Sequence, residues 1–376
     1  MVFPSTLIVR QARAGDVDAI EQFIEEGYSQ LAPYKIGARW RWQFLNNPYR
    51  DRSGEAVPVW IALDGEKVIG QIAVQPTTVK IGEKIHQGGW MVDVLILPRY
   101  RGGGLANRLQ DAVVQSVPLL LTLTMAPATR RLGARAGAVT LGATRQFTRW
   151  VRLSPSDVRG YLLLRLEHRP RLRSIARFAC DWLLFSSVFA LLGNLWTKPL
   201  VLPREPGVEI KEVASFGSET DALWNRVAPR YGALCVRDSK FLNWRFVDSP
   251  DLEYRRFLAI AAGRVVGYSV LRRKTAVELR QGVIAEMFAD PDDKTTLLSL
   301  LSHGVRHFGA DVASIECASS RPEIATALRS FGFFPTRETA ATCVVADAGL
   351  RAEVERLRDD WYFTKGDHDW DQVVVG

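Results

Sequence analysis

The sequence predicts a mixed α/β fold built twice along the chain, and three observations predict it. A strand, a glycine-rich turn and an amphipathic helix follow one another across residues 90–114. Two ungapped segments, residues 41–48 and 243–250, open two similar runs of strands. Between those runs lies a basic and apolar stretch that resembles neither.

The first observation rests on residue order. The apolar run Trp90-Met91-Val92-Asp93-Val94-Leu95-Ile96-Leu97-Pro98 reads as a strand, and Asn107-Arg108-Leu109-Gln110-Asp111-Ala112-Val113-Val114 as a helix face. Between them stands Arg101-Gly102-Gly103-Gly104-Leu105-Ala106. Such a turn leaves backbone N–H groups unpaired at the positive end of a helix dipole, where a phosphate can dock. Three glycines let the main chain approach an anion, Arg101 adds charge, and Ala106 is too small to obstruct a ligand. A P-loop would need Lys-Ser or Lys-Thr after its last glycine, and Leu105-Ala106 stands there instead. A dinucleotide fingerprint would need a third, later glycine.

The second observation is the repeat. Arg41-Trp42-Gln43-Phe44-Leu45-Asn46-Asn47-Pro48 aligns on Asn243-Trp244-Arg245-Phe246-Val247-Asp248-Ser249-Pro250. Each segment leads to a strand, a polar turn with glycine and a strand that restarts at Val-x-Gly, at Val68 and at Val265. Each is preceded by a short strand and a helical pattern, with Val17, Ile20, Phe23 and Ile24 in one case and Leu223, Trp224 and Val227 in the other. Asp93 lies five residues before Pro98, and Glu286 five before Pro291. The copies part at the turn: Asp292-Asp293-Lys294-Thr295-Thr296 has no glycine, and its carboxylates would repel a diphosphate.

At 376 residues the chain is long enough for two domains. The expected division is 1–155, an insert and linker at 156–206, and 207–376. The insert carries Arg165, His168, Arg169, Arg171, Arg173 and Arg177, then an uncharged run over residues 182–196. That run is 15 residues, short of the ~20 that span a bilayer. It reads either as a core helix or as a helix on a membrane surface, a peripheral contact through residues 165–200. Pro199, Pro203 and Pro206 mark a stiff linker.

Composition excludes little more. Hydrophobic content of 47% and charged content of 24% are those of an ordinary globular protein. The net charge of +8 suits an anionic ligand, a nucleic acid or an anionic membrane alike. Cys180, Cys235, Cys317 and Cys343 have no metal-binding or redox spacing and read as reduced core thiols. Met1-Val2-Phe3-Pro4-Ser5-Thr6 lacks the regions of a signal peptide, so a cytoplasmic protein is expected, with the membrane's inner face as its possible location.

The strand, Tyr100-Arg101 and the turn together resemble the Arg/Gln-x-x-Gly-x-Gly/Ala pyrophosphate loop of the GNAT superfamily of acyl-CoA N-acyltransferases. The resemblance covers residues 7–150 well and 207–345 more loosely. It implies two tandem GNAT-like domains, the second degenerate, and an acetyl-CoA or other acyl-CoA co-substrate. Residues 101–106 would bind its diphosphate, and main-chain groups near Leu95 and Leu97 its pantetheine arm, in a gap between splayed strands at 92–97 and 119–124. The reaction implied is direct attack of an amine on the thioester, with Asp93 as base or as a structural carboxylate. The family's usual tyrosine acid is missing from residues 126–137. Some tandem relatives point to an amino sugar or an envelope-polymer precursor as the acceptor. No DNA partner is implied.

Two other functions fit parts of the pattern. A Fem-like transferase using aminoacyl-tRNA would suit the charge, but such proteins do not need this loop. A non-catalytic acyl-CoA sensor or scaffold would explain the missing tyrosine. Three remaining signals point elsewhere than to function. His303 and His307 read as a solvated helix face rather than a metal site. Asp367, Asp369 and Asp371 lack the glycine and glutamate of a calcium loop. Trp42 and Trp244 read as helix-end packing, with a grip on an acceptor sugar as the alternative.

Overall fold

Periodic apolar residues become ten elements in the first half of the chain. They are β1 (Ile8–Arg13), α1 (Val17–Tyr28), α2 (Ala38–Trp40, prolonged by a wider π-helical turn over Arg41–Leu45), β2 (Ala56–Asp64), β3 (Lys67–Ile81), β4 (Lys84–Ile96), α3 (Leu105–Ser116), β5 (Leu119–Thr122), α4 (Pro127–Arg135) and β6 (Val139–Trp150). Helices α5 (Pro155–Arg165), α6 (Pro170–Trp182) and α7 (Phe185–Trp196) follow. The next run is β7 (Glu209–Val213), α8 (Ser218–Val227), β8 (Ala233–Cys235), α9 (Ser239–Phe246), β9 (Arg255–Ala261), β10 (Arg264–Ala276), β11 (Leu279–Ala289), α10 (Lys294–Phe308), β12 (Ser314–Ser319), α11 (Pro322–Ser330) and β13 (Phe334–Val345). The structure, a computed structural model, describes residues 7–123, 126–166, 169–182, 184–196 and 207–372. The expected proline linker, His168 and Thr124 lie outside the described residues.

The chain forms two compact units. The first comprises the described residues of Met1–Ala143, Tyr231–Asp251 and Thr339–Trp361, and the second those of Thr144–Arg230, Leu252–Glu338 and Tyr362–Gly376. In the first unit the strand order is β1-β2-β3-β4-β5, antiparallel except for the parallel pair β4–β5. The end of β13 pairs with β5 through Thr342–Thr122 and Val345–Leu119. In the second unit the order is β7-β9-β10-β11-β12, with β11–β12 parallel, and the end of β6 pairs with β12 from Ser314–Trp150 to Ser319–Arg145. Each terminal strand of a run therefore completes the sheet beside the other run's parallel pair. Sequence repeats and compact units consequently divide the chain differently: a sheet edge takes whichever strand satisfies its open N–H and C=O groups.

Local chemistry explains the helices. In α1, Val17, Ile20, Phe23 and Ile24 recur at helical spacing and are all buried. In α3, Leu105, Leu109 and Val113 sit on the core of the first unit beside Trp60, Ile69, Ile72 and Leu120. Helix α5 starts at a capping box, in which Ser154 and Asp157 bond each other's backbone and Pro155 takes the first turn. Asp157, wholly buried, also takes the Arg280 guanidinium at 2.6 Å and so ties α5 to β11.

Helices α6 and α7 depart from the core reading of the insert. Cys180, Ser186 and Ala190 face inward, whereas most of their large apolar side chains are exposed. The four cysteines are buried and free of disulfides.

Candidate functional site

Helix α3 begins at Gly104, which has φ +78° and makes no side-chain cap. Gly102 has φ +91°. A side chain at either position would meet only open space, but the left-handed backbone favours glycine there. The chain enters this turn through Tyr100, whose phenol donates to Asp64 at 2.6 Å. Among the described residues, the amides of Gly102, Gly103, Gly104, Leu105 and Ala106 have no protein acceptor. The Leu105 side chain is buried in the core while its amide stays at the open end of the helix. Five consecutive donors and the helix dipole make an anion cradle. Arg101 is exposed, and its Nε donates back to the Ile96 carbonyl at 2.9 Å, which holds the guanidinium beside the turn.

Among the described residues, strands β4 and β5 pair at Gly89–Leu120 and Trp90–Leu121 alone. β4 then continues to Ile96 without a partner from β5. Pairing with β5 thus stops before residues 92–97, where the splay was expected; the far end of the other expected strand, at Thr124, lies outside the described residues. The register of β4 corrects one detail. Leu97 donates its N–H to Ile69 O at 3.0 Å, and its carbonyl accepts from Tyr100. Backbone groups alternate sides along a strand, so Leu95 also turns its main chain towards β3. The edge open on the β5 side carries Ile96 instead. The Leu95 side chain packs against Gly27 of α1, where a Cβ would lie 2.2 Å from its Cδ2.

Between Leu95 and Val92 the strand holds one residue more than β3 does between Gln71 and Ala73. Asp93 sits in this bulge with φ +48°, a conformation aspartate tolerates better than most side chains. The bulge directs its half-buried carboxylate towards α1 and the segment after it. The carboxylate accepts an ion pair from Lys35 Nζ and faces the Tyr28 hydroxyl at 3.4 Å. Lys35 lies over the Tyr28 ring, 4.9 Å from its centroid. A carboxylate, a phenol and an ammonium therefore meet where β4 leaves β5. Sequence reasoning singled out Asp93 and missed Tyr28 and Lys35. Their only signal was position, seven residues apart across the end of the first helix.

The second run differs at both places. Helix α10 is capped by Asp293, whose carboxylate accepts from Thr296 N at 3.0 Å and Thr296 Oγ1 at 2.6 Å. The protein's own carboxylate occupies the place of an anion. Asp292 carries Arg230 as an ion pair. Glu286 lies at a register shift of β11, as Asp93 does in β4, but it is 1% exposed and accepts from Thr364 Oγ1 at 2.7 Å and Met287 N at 3.2 Å.

The remaining signals resolve as packing. Trp42 and Trp244 are each 3% exposed and stack on each other, which leaves no face for a sugar. His303 is not a solvated residue: it packs on Phe257, 4.3 Å between ring centroids, and burial lowers its pKa to about 4. Asp367 caps the Thr364 backbone, and Asp371 accepts from the Tyr254 hydroxyl at 2.5 Å. Among the described residues, no group of His, Cys, Asp and Glu could hold a metal ion.

Comparison with known proteins agrees with this geometry. Residues 8–119 match the family model of an acetyltransferase (GNAT) domain. A GCN5-related N-acetyltransferase from Anabaena variabilis superposes with a TM-score of 0.58 at 13% identity, over 90% of this chain and 72% of the other. A conserved protein of unknown function from Enterococcus faecalis, described as a probable N-acyltransferase, gives 0.56 at 12% identity over 90% and 72%. The N-myristoyltransferase of Saccharomyces cerevisiae, solved with bound myristoyl-CoA and inhibitors, gives 0.53 at 9% identity over 92% and 81%. The fold is the GNAT fold. A search of curated protein sequences finds no match.

Proposed function

We propose that the protein is an acyl-CoA-dependent N-acyltransferase whose donor site lies in the first run of elements. The observation that carries this reading is the row of five unclaimed amides at the start of α3. Residues 101–106 hold the diphosphate of the thioester carrier, and the Ile96 N–H, on the edge of β4 away from β3, receives its pantetheine arm in place of Leu95 and Leu97, the Ile96 carbonyl being held by Arg101. The carrier supplies an activated acyl thioester. The second run is a degenerate copy, over residues 207–376, whose equivalent turn is closed by Asp293. The matching order of elements in the two runs supports that duplication.

Asp93 accepts the proton that an amine sheds as its nitrogen bonds the acyl carbon. Tyr28 lends its phenolic proton to the sulfur as the C–S bond breaks, and so fills the role left open by the tyrosine missing from α4. Lys35 keeps the carboxylate oriented through the same oxygen, Oδ1, that Tyr28 faces. The acceptor is an amine, with an amino sugar or an envelope-polymer precursor as the class to screen first.

Titration calorimetry with acetyl-CoA tests the donor site. Wild type is expected to bind, and the Arg101→Ala/Gly104→Asp variant to bind at least about tenfold more weakly, since a carboxylate then stands among the amides. Equal affinity in both removes the reading. Release of free thiol across a panel of amines tests turnover.

A further inference from the structure

Helices α6 and α7 are built inside out. In α7, Val188, Leu191, Leu192 and Leu195 recur at i, i+3, i+4 and i+7, the spacing that normally faces a core. All four are exposed, at 49–72%. The side turned inward carries Ser186 and Ala190 instead. In α6, Leu172, Ile175 and Phe178 repeat every third residue and are likewise exposed. The outward face is held in place by its polar side: Asn194 exchanges two 2.8 Å bonds with the Leu153 backbone, and Asp181 pairs with Arg159 of α5 at 3.0 Å. The exposure is therefore a feature of a secured helix pair.

Charge says what covers this face. Helix α7 contains no ionisable residue. Arg165, Arg169, Arg171, Arg173 and Arg177 precede it and outnumber the acids of residues 165–181, Glu167 and Asp181, of which Asp181 is paired with Arg159. In a two-fold contact a second copy would set the same excess of arginine against itself. Lipid phosphates next to acyl chains match both halves of the surface.

Geometry decides how it lies. No single helix among the described residues is long and apolar enough to cross a membrane; α6 and α7 have the length and composition to do so only together, and they are bent by 82°. At about 1.5 Å per residue each reaches about 20 Å, against a hydrocarbon core of about 30 Å. We propose that α6 and α7 dock in the plane of an anionic phospholipid membrane, apolar stripes in the acyl region and arginines at the phosphates. This rests on the insert alone and stands whether or not the donor site binds acyl-CoA.

Co-sedimentation of the full chain with vesicles tests it. With 30% phosphatidylglycerol in phosphatidylcholine at low salt, wild type is expected in the pellet. With pure phosphatidylcholine the bound fraction falls at least fivefold. Leu191→Glu/Leu195→Glu, at exposed positions, is expected to lose binding to both while its melting temperature stays unchanged. Arg171→Glu/Arg177→Glu is expected to lose only the preference for anionic lipid. Wild type remaining in the supernatant with the anionic vesicles overturns the proposal. So does undiminished binding by Leu191→Glu/Leu195→Glu. A dimer in solution that the same pair of substitutions dissolves, without vesicle binding by wild type, assigns the face to a second copy instead.

Discussion

Trp42 and Trp244, 202 positions apart, stack at 4.7 Å with their planes 13° apart, and each donates its indole N–H to the other's carbonyl, at 2.8 and 3.0 Å. One bond made in both directions places the two residues in equivalent settings about a local two-fold. Both belong to the first compact unit, to which α9 contributes although it lies in the second run of elements. The aligned segments around these tryptophans thus have a shared structural task, the packing of α2 against α9.

Replacing one of the pair removes the stack and leaves the partner's carbonyl unpaired. Trp244→Ala is expected to destabilise the protein by about 3–5 kcal/mol in urea unfolding. Because the two rings bury each other, Trp42→Ala/Trp244→Ala should lose less than the sum of the single variants. Strict additivity would show that the rings are not coupled.

The two helix starts predict opposite responses. Asp293→Ala removes the cap of α10 and is expected to lower stability by about 1 kcal/mol, seen as a lower melting temperature, with acetyl-CoA affinity unaltered. Gly104→Asp supplies α3 with a capping carboxylate whose gain offsets the strain of an aspartate at φ +78°, so melting is expected to change little while acetyl-CoA affinity falls. If both variants changed the same quantity, the assignment of one loaded and one closed turn would fail.

The cluster at the bulge predicts a separation of binding from turnover. Asp93→Asn is expected to lower kcat by about 10²–10⁴-fold, with acetyl-CoA affinity within about twofold of wild type. Tyr28→Phe should lower kcat as well and alter its high-pH limb. Steady-state kinetics on an amine found by the thiol-release screen would measure both. Unchanged kcat in Asp93→Asn would reduce that residue to a structural carboxylate.

Acid sensitivity should localise to His303. Burial on Phe257, aided by the positive charge of His307 and Arg306, lowers its pKa from 6.5 to about 4. The unfolded chain therefore binds the proton first. The stabilisation is complete above about pH 6.5 and is lost as the pH falls from there towards 4. Its size is about 1–2 kcal/mol, once the part of the ring that meets solvent is discounted. Thermal melts between pH 7.5 and 4.5 should decline less steeply in His303→Leu than in wild type. Parallel declines would place the sensitivity elsewhere.

A further stability test lies in the second unit. Lys365 is 2% exposed and donates to Glu316 at 3.1 Å, while Lys274 stands 3.8 Å from the same carboxylate. Burial opposes the charge on Glu316, and the two lysines more than offset it, so its pKa is lowered. Lys365→Met strips the nearer partner from a carboxylate still held in the interior. A loss of about 2–4 kcal/mol is expected in denaturant unfolding.

Much of this was legible in the residues. Glycines at 102–104 between an apolar run and a helical face imply a turn with open amides, because no side chain is present to close it. The aspartates at 292 and 293 imply the reverse, and Asp293 does close its helix. Asp93 stood out as an acid in an apolar strand. The choice of Leu95 and Leu97 was out of step because a one-residue bulge shifts which backbone groups face β5, and composition carries no mark of a bulge. The two histidines of α10 looked exposed because spacing along one helix does not reveal the Phe257 ring lying against them.

By itself the sequence determined most of the elements and the glycine turn that leaves open amides before α3, since local periodicity and glycine conformation depend on near neighbours alone. Only the tertiary structure decided that β6 and β13 each complete a sheet beside the other run, that Tyr28 and Lys35 reach Asp93, and that the apolar stripe of α7 faces outward. These depend on contacts between residues far apart in the chain, where the free energy of burying a surface or pairing a strand edge selects among partners that local sequence leaves equivalent.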